Sequence, residues 1–172
     1  MAQLFKSNPS RRDPYKNYRF KVYFGENRRL VAGVTKVSGL KRKTEAITYR
    51  QGGSDVTTKV PGKTEFDPVT LELGVTEDEQ FQKWADQTWR YGESKEGFAH
   101  RSSDFRQTIV IELLNDEGQA VKEYKLLDCW VSEYMPLPEL DASSNAVAIQ
   151  SLTFEHEGWT YKSTAKKETN YA

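Results

Sequence analysis

The sequence predicts a mainly β domain with a single helix, and three observations carry that expectation. Stretches such as Tyr18, Phe20, Val22 and Phe24 alternate with polar residues at period two, the signature of a half-buried strand. Turn signals, Gly25-Glu26-Asn27 and Asn115-Asp116-Glu117-Gly118 among them, separate these stretches. Only one segment, following Thr76, changes to the helical period.

Taken in order, the elements begin after residues 1–14, where Pro9, Pro14, Arg11, Arg12 and Asp13 read as an extended polar arm. The first strand runs from Lys16 to Phe24, a second covers roughly Leu30 to Val37, and Gly39 leads to a third over Lys41 to Tyr49. That third strand offers only Ala46, Ile47 and Tyr49 for burial, which places it at an edge or against a solvated cavity. Residues 51–65, QGGSDVTTKVPGKTE, hold three glycines and a proline and read as a long loop of the kind that is usually functional or disordered. Strand pattern returns over Phe66 to Val75, with Val69, Leu71 and Leu73 on one face.

Thr76 and Glu79 then form a capping box. Phe81, Trp84, Ala85, Thr88 and Trp89 fall on one face of a helix expected over Glu77 to Tyr91, stopped by Gly92, and that face is assigned to cover a sheet. After a polar loop at 93–103, Phe105 to Leu113 forms a strand and the Asn115–Gly118 turn sends it back. The return strand is long, from Val121 to Val131, until Pro136 and Pro138 end regular pairing. A last strand spans Asn145 to His156, where Val147 and Ile149 share one parity and Leu152 and Phe154 the other, so either a bulge intervenes or both faces are covered. The tail beyond Trp159 is polar.

Composition bounds the function. A length of 172 residues suits one domain with a real core. Twenty-five basic residues balance 25 acidic ones, so there is no net field to hold the chain on nucleic acid or an anionic membrane. The single cysteine, Cys129, lies in an apolar stretch and reads as a buried hydrophobe in a reducing compartment. Neither a signal-peptide run at Met1 to Arg12 nor a membrane-length apolar segment is present, which predicts assembly in the cytoplasm without membrane insertion.

Catalytic chemistry has little to build on. The histidines are His100 and His156, no Cys/His set has zinc spacing, and Gly52-Gly53 lacks the following helix of a phosphate cradle. His156 lies between Glu155 and Glu157, but neighbours on a strand point to opposite faces, so it reads as a structural histidine. Glu77, Asp78 and Glu79 complement a helix dipole, and Lys41-Arg42-Lys43 reads as a solvated strand face. Neither an enzyme nor a cofactor or metal site is expected.

The order of several segments is more informative than any one of them. DPYKNYRFKVYF (Asp13 to Phe24), VSGL (Val37 to Leu40), YRQGG (Tyr49 to Gly53), VPG (Val60 to Gly62) and LELGVTEDEQFQKW (Leu71 to Trp84) are followed by LNDEGQAVKEYKLLDCW (Leu114 to Trp130) and NAVAIQSLTFEHEGW (Asn145 to Trp159). In this order they resemble phage tail tube proteins, the inner tube subunits of contractile tails and contractile injection systems, similar also to haemolysin-coregulated protein. The segment Gly92 to Ser103 and the tail after Trp159 depart from the family pattern.

The resemblance implies a compact β-barrel or two-sheet sandwich with one flanking helix. It divides the chain into an arm at 1–14, a tail-tube domain at 15–159 and a polar tail at 160–172. It implies a homo-hexameric ring stacking into a hollow tube within a contractile sheath. Baseplate or spike proteins, tube terminators and protein or DNA cargo are the further partners. The localisation implied is a virion tail or an injection-system particle. Within that frame, Arg11, Arg12, Asp13, Gly52, Gly53, Asp55, Lys59, Pro61 and Lys63 are the expected inter-ring contacts, and Lys41, Lys43 and Glu45 the expected lumen-facing residues. The competing reading is a monomeric β-sandwich that binds a carbohydrate or protein ligand through exposed Trp130, Tyr134 or Trp159.

Overall fold

A computed structural model describes residues 14–53, 55–75, 79–90, 105–141, 143 and 146–163. Its strands are β1 (Phe20–Phe24), β2 (Arg29–Leu30), β3 (Val34–Val37), β4 (Arg42–Tyr49), β5 (Thr58–Phe66) and β6 (Val69–Gly74). After helix α1 (Gln80–Arg90) follow β7 (Gln107–Leu114), β8 (Ala120–Met135), β9 (Ile149–Glu155) and β10 (Trp159–Ser163). Eight strands form one sheet in the order β2-β1-β7-β8-β9-β6-β3, with β10 also on β8, while β4 and β5 pair only with each other.

The long strand β8 turns this sheet into a closed two-layer body. Its first half pairs with β7 from Leu114↔Ala120 to Gln107↔Cys129, and its second half pairs with β9 from Trp130↔Glu155 to Met135↔Ser151. Between the halves an extra residue interrupts the β7 register, and Asp128 adopts a left-handed φ of 52°. Such a bulge bends a strand and increases its twist, so β8 passes from one layer to the other. β9 and β10 lie along the other edge of β8, joined across it by the bonds Glu157 N–H to Leu127 O (3.1 Å) and Leu127 N–H to Gly158 O (3.0 Å). The ordered strand therefore continues four residues beyond Trp159, where the sequence suggests only a polar tail, because β8 supplies it with a ladder.

Other differences have local causes. The expected strand from Leu30 to Val37 is split in two at Gly33, whose φ of +77° suits glycine. β2 then pairs with β1 and β3 with β6, so this turn carries the chain between layers. The parity change near Val147 is settled because β9 begins only at Ile149. From there Gln150, Leu152 and Phe154 point inward, and the bulge lies on the partner strand, between Val131 and Glu133. The hairpin turn at Asn115–Gly118 is as expected: Asn115 Oδ1 accepts from the Glu117 and Gln119 amides, at 3.0 and 2.8 Å.

The core is a single cluster between the layers, with Val22, Ile109 and Leu126 facing Leu71, Leu152 and Phe154. Each such side chain, once fully buried, contributes roughly 1.5–3 kcal/mol. Helix α1 closes one end of this core with Phe81 and Trp84. The Trp84 ring meets Phe24 edge-on at 4.9 Å and its Nε1–H donates to Phe105 O at 2.7 Å. Trp89 does not join them and is 70% exposed, against the expected helical face. At about 100° per residue it lies about 140° around the helix from Trp84, the deepest side chain, and so turns away from the sheet. The helix also starts later than expected: the Glu79 carbonyl accepts the first bond, from the Lys83 amide. Thr76, Glu77, Asp78 and Tyr91 lie outside the described residues.

On the outer face of the first layer, Glu112 stands directly opposite Glu123, a like-charge pair that would repel. Arg28, held in a left-handed turn, reaches both carboxylates and neutralises part of that repulsion.

Candidate assembly interface

The segment expected to be a loop at 51–65 is mostly a strand. Residues from Thr58 onward form β5, which pairs with β4 from Tyr49↔Thr58 to Arg42↔Phe66, and of the described residues only 50–53 and 55–57 lie outside the ladder at its far end. The glycines that suggested a loop have separate roles. Gly53, at φ +82°, makes the turn, whereas Gly62 lies under the Ile47 side chain, where an added Cβ would come within 2.9 Å of it. A bulge at this point shifts the register between Thr44 and Ala46.

The resulting ribbon is an arm. All eight residues of β4 are exposed, and of the nine in β5 only Gly62 and Phe66 are half-buried. At about 3.3 Å per residue, β4 spans roughly 26 Å. Its side chains divide along its length: near the root one face carries Lys43, Glu45 and Glu65, and near the tip the same face carries Ile47, Tyr49 and Val60. The apolar tip residues were not among the sequence candidates. Their signal is the Ile47/Tyr49 alternation answered by Val60 on the far side of the Gly52-Gly53 turn.

The root of the arm is clamped to the body. The Asp67 amide donates to Lys41 O at 3.1 Å and the Asp67 carboxylate pairs with Lys41 Nζ at 2.7 Å, which raises the Lys41 pKa. Phe66 packs on Gly158, with ring atoms 3.2 Å from where a Cβ would stand, and against Trp159 and His156 with centroids at 5.3 and 5.6 Å. Glycine is required at Gly158 on both counts, since its φ is +125°. His156, 8% exposed, accepts at Nδ1 from the Gly158 amide (3.2 Å), which leaves Nε2–H to donate to Asp67 O (3.2 Å). Burial lowers its pKa, against the opposing effect of the Asp67 carbonyl, and so keeps the ring neutral. Cys129, fully buried, has its thiol pushed up to about 12, above all by desolvation.

The expected residues are thus distributed unevenly. Gly52, Gly53 and Asp55 lie in the turn at the tip, with Asp55 3.7 Å from Arg50, and Lys59, Pro61 and Lys63 lie on β5. Lys43 and Glu45 are exposed on β4, and Lys41 belongs to the root clamp. Arg11, Arg12, Asp13 and His100 lie outside the described residues. Trp130, Tyr134 and Trp159, the platform of the competing binding-module reading, are each half-buried. Trp159 is engaged by Phe66, and Tyr134 donates to Gln150 Oε1 at 3.1 Å. No group of three or more His, Cys, Asp or Glu side chains suited to a metal occurs among the described residues, and no described helix is long and apolar enough to cross a membrane.

A family model described as T4-like virus tail tube protein gp19 matches residues 16–160, most of the chain, from before β1 to the start of β10. The chain belongs to this tail tube family. It is a structural, inner-tube type of protein. Solved structures agree on the fold of this tube protein. A chain in the anti-feeding prophage baseplate superposes with a TM-score of 0.71 at 23% identity, covering 91% of this chain and all of that one. A chain in the sheath–tube complex of an extracellular contractile injection system gives 0.70 at 24% identity, covering 87% of this chain and 92% of that one. Hcp1 from Flavobacterium johnsoniae gives 0.52 at 12% identity, with 85% and 96% covered. No curated protein matches the sequence.

Proposed function

We propose that this tube protein forms homo-hexameric rings that stack into a hollow tube inside a contractile sheath, and that its role is mechanical and not catalytic. The observation that carries this reading is the β4–β5 arm. A two-stranded ribbon with no buried face is marginal alone in water, so one that is built into the chain is completed by another molecule. The arm residues Gly52, Gly53, Asp55, Lys59, Pro61 and Lys63, together with Arg11, Arg12 and Asp13 of the N-terminal segment, are the proposed contacts between rings. Lys41, Lys43 and Glu45 at the arm root are proposed to face the lumen.

The further partners are a sheath subunit, a baseplate and a tube terminator, and protein or DNA cargo passes through the lumen of a particle assembled in the cytoplasm. Support comes from the company its structural relatives keep, which includes a sheath–tube complex, a baseplate and a sheath/tube terminator. Negative-stain electron microscopy with sedimentation at high protein concentration tests the reading. Rings or stacked tubes with a central hole are expected, and a monomer that also fails to join a tube when mixed with baseplate proteins overturns it. The lumen assignment has its own test: cysteines placed at Lys43 or Glu45 should be labelled in tubes only by reagents small enough to enter.

A further inference from the structure

Helix α1 closes the core at the end where Trp84 meets Phe24, and a different part of the core stays open. β1 and β3 lie in different layers and do not pair with each other. Between them runs a cleft of about 740 Å³. Phe20, Ile111 and Tyr124 of the first layer form one wall, and Val34, Val37 and Leu40 the other. The first three share the inward side of their layer with Val22, since Val22 stands opposite Ile111 and Ile111 opposite Tyr124. All six pack against the core yet remain only half-buried, because no described residue fills the space between the walls.

The chain reaches β1 along the rim of this cleft. Lys16 Nζ pairs with the Asp116 carboxylate at 2.9 Å and Arg19 donates to Asp116 O at 3.2 Å, so the approach is held on the Asn115–Gly118 turn. Asn17 and Tyr18, between these two tethers, line the cleft. Residues 1–13, which lie outside the described residues, therefore attach beside its mouth. Their pattern is that of an anchor on a tether: Leu4 and Phe5 are adjacent and apolar, whereas Lys6 to Asp13 are all polar or proline. Asn8-Pro9 favours a turn within that tether. Phe5 precedes Asn17 by twelve residues, about 40 Å when extended and ample to fold back.

We infer that Leu4 and Phe5 of the N-terminal segment occupy the cleft between β1 and β3 of their own chain. A cavity of this size accommodates a drug-sized ligand, so two apolar side chains fit, and the half-buried walls gain the cover that they lack. The tether favours the chain's own segment over another copy's, since a short linker holds its two ends at an effective concentration on the order of millimolar. It also holds Arg11, Arg12 and Asp13, three of the proposed ring contacts, on a stretch fixed at both ends. The inference concerns the isolated subunit and does not depend on tube formation.

The test uses the full chain, dilute enough to remain monomeric, carrying Phe5→Cys with Leu40→Cys and treated with a short bismaleimide, the native Cys129 being buried. An internal cross-link, read by mass spectrometry on the monomer, is the expected result. Its yield should exceed by about tenfold that of Phe5→Cys with Lys125→Cys, whose second site follows Tyr124 on β8 and so lies on the outer face of the first layer. Leu4→Ser with Phe5→Ser vacates the cleft, and the apolar dye anilinonaphthalene sulfonate should then fluoresce several-fold more strongly than with the wild type, at unchanged near-ultraviolet circular dichroism. Equal cross-linking at Leu40 and Lys125, or dye fluorescence unaffected by the double substitution, overturns the inference. So do cross-links found only between chains, which give the cleft to a second copy. Each of these results leaves the tube reading standing, whereas a chain with the internal cross-link that forms no tube even with baseplate proteins overturns the tube reading alone.

Discussion

The body and the arm are made of the same secondary structure and owe their order to different things. β6 and β9 lie side by side with Val69, Leu71, Leu73, Leu152 and Phe154 all but inaccessible, whereas β4 and β5 make an equally regular ladder with every residue but two exposed. Backbone hydrogen bonds are satisfied in both, and each contributes only modestly beyond what water would provide. The difference is side-chain burial, which the body obtains from its own second layer and the arm does not obtain from its own chain. The subunit then has one half complete in itself and one half that is not, and the proposed assembly contacts fall on the second.

Substitutions can sharpen that division. The largest effect is expected from the body: Trp84→Ala or Phe154→Ala should cost about 3–5 kcal/mol in urea unfolding of the isolated subunit, through lost burial and the cavity left behind. Gly158→Ala should cost roughly 1–3 kcal/mol, since it puts a side chain in a left-handed region and against the Phe66 ring at the arm root. By contrast, Ile47→Ala in the arm should change subunit stability by no more than about 0.5 kcal/mol while weakening tube formation. If Ile47→Ala destabilises the monomer as Trp84→Ala does, the arm packs on its own body and the division fails.

Two smaller effects probe the joint between the regions. The folded-state pKa of His156 is lowered from 6.5, so below that value the unfolded chain takes up the proton more readily than the folded one. Its contribution is therefore fully present above about pH 6.5 and lost as the pH falls below it. Urea midpoints between pH 7.5 and 5 should fall less steeply for His156→Asn than for the wild type; parallel slopes would remove His156 from the clamp. Smallest of all, Cys129 should react with iodoacetamide at neutral pH only as fast as the body unfolds, because its thiol is buried and its pKa is about 12.

Much of this was legible from local pattern. The alternation in Phe20–Phe24 and Val69–Leu73, the Asn115–Gly118 turn and the stop at Pro136 each follow from interactions within a few residues, and each is found in the structure, whereas Tyr18, expected in the first strand, lies in a turn before it and is 65% exposed. Less legible were features in which distant residues decide. Thr58–Glu65 has almost no apolar residues and two backbone breakers, yet it forms a strand because β4 lies beside it to complete the ladder. Trp89 has the spacing of a buried residue, but the depth at which Trp84 seats the helix decides which flank faces water.

By itself, then, the sequence determined the class of the fold, the positions of most strands and turns, the place of the helix, and through the order of its motifs the tail tube family. Tertiary structure alone decided that β8 is shared between two layers, that the polar stretch after Trp159 continues as β10, and that the glycine-rich segment is an arm. The physical reason is range: periodicity and turn chemistry act over a few residues, whereas strand partnership, burial and the relative position of charged surfaces depend on residues far apart in the chain.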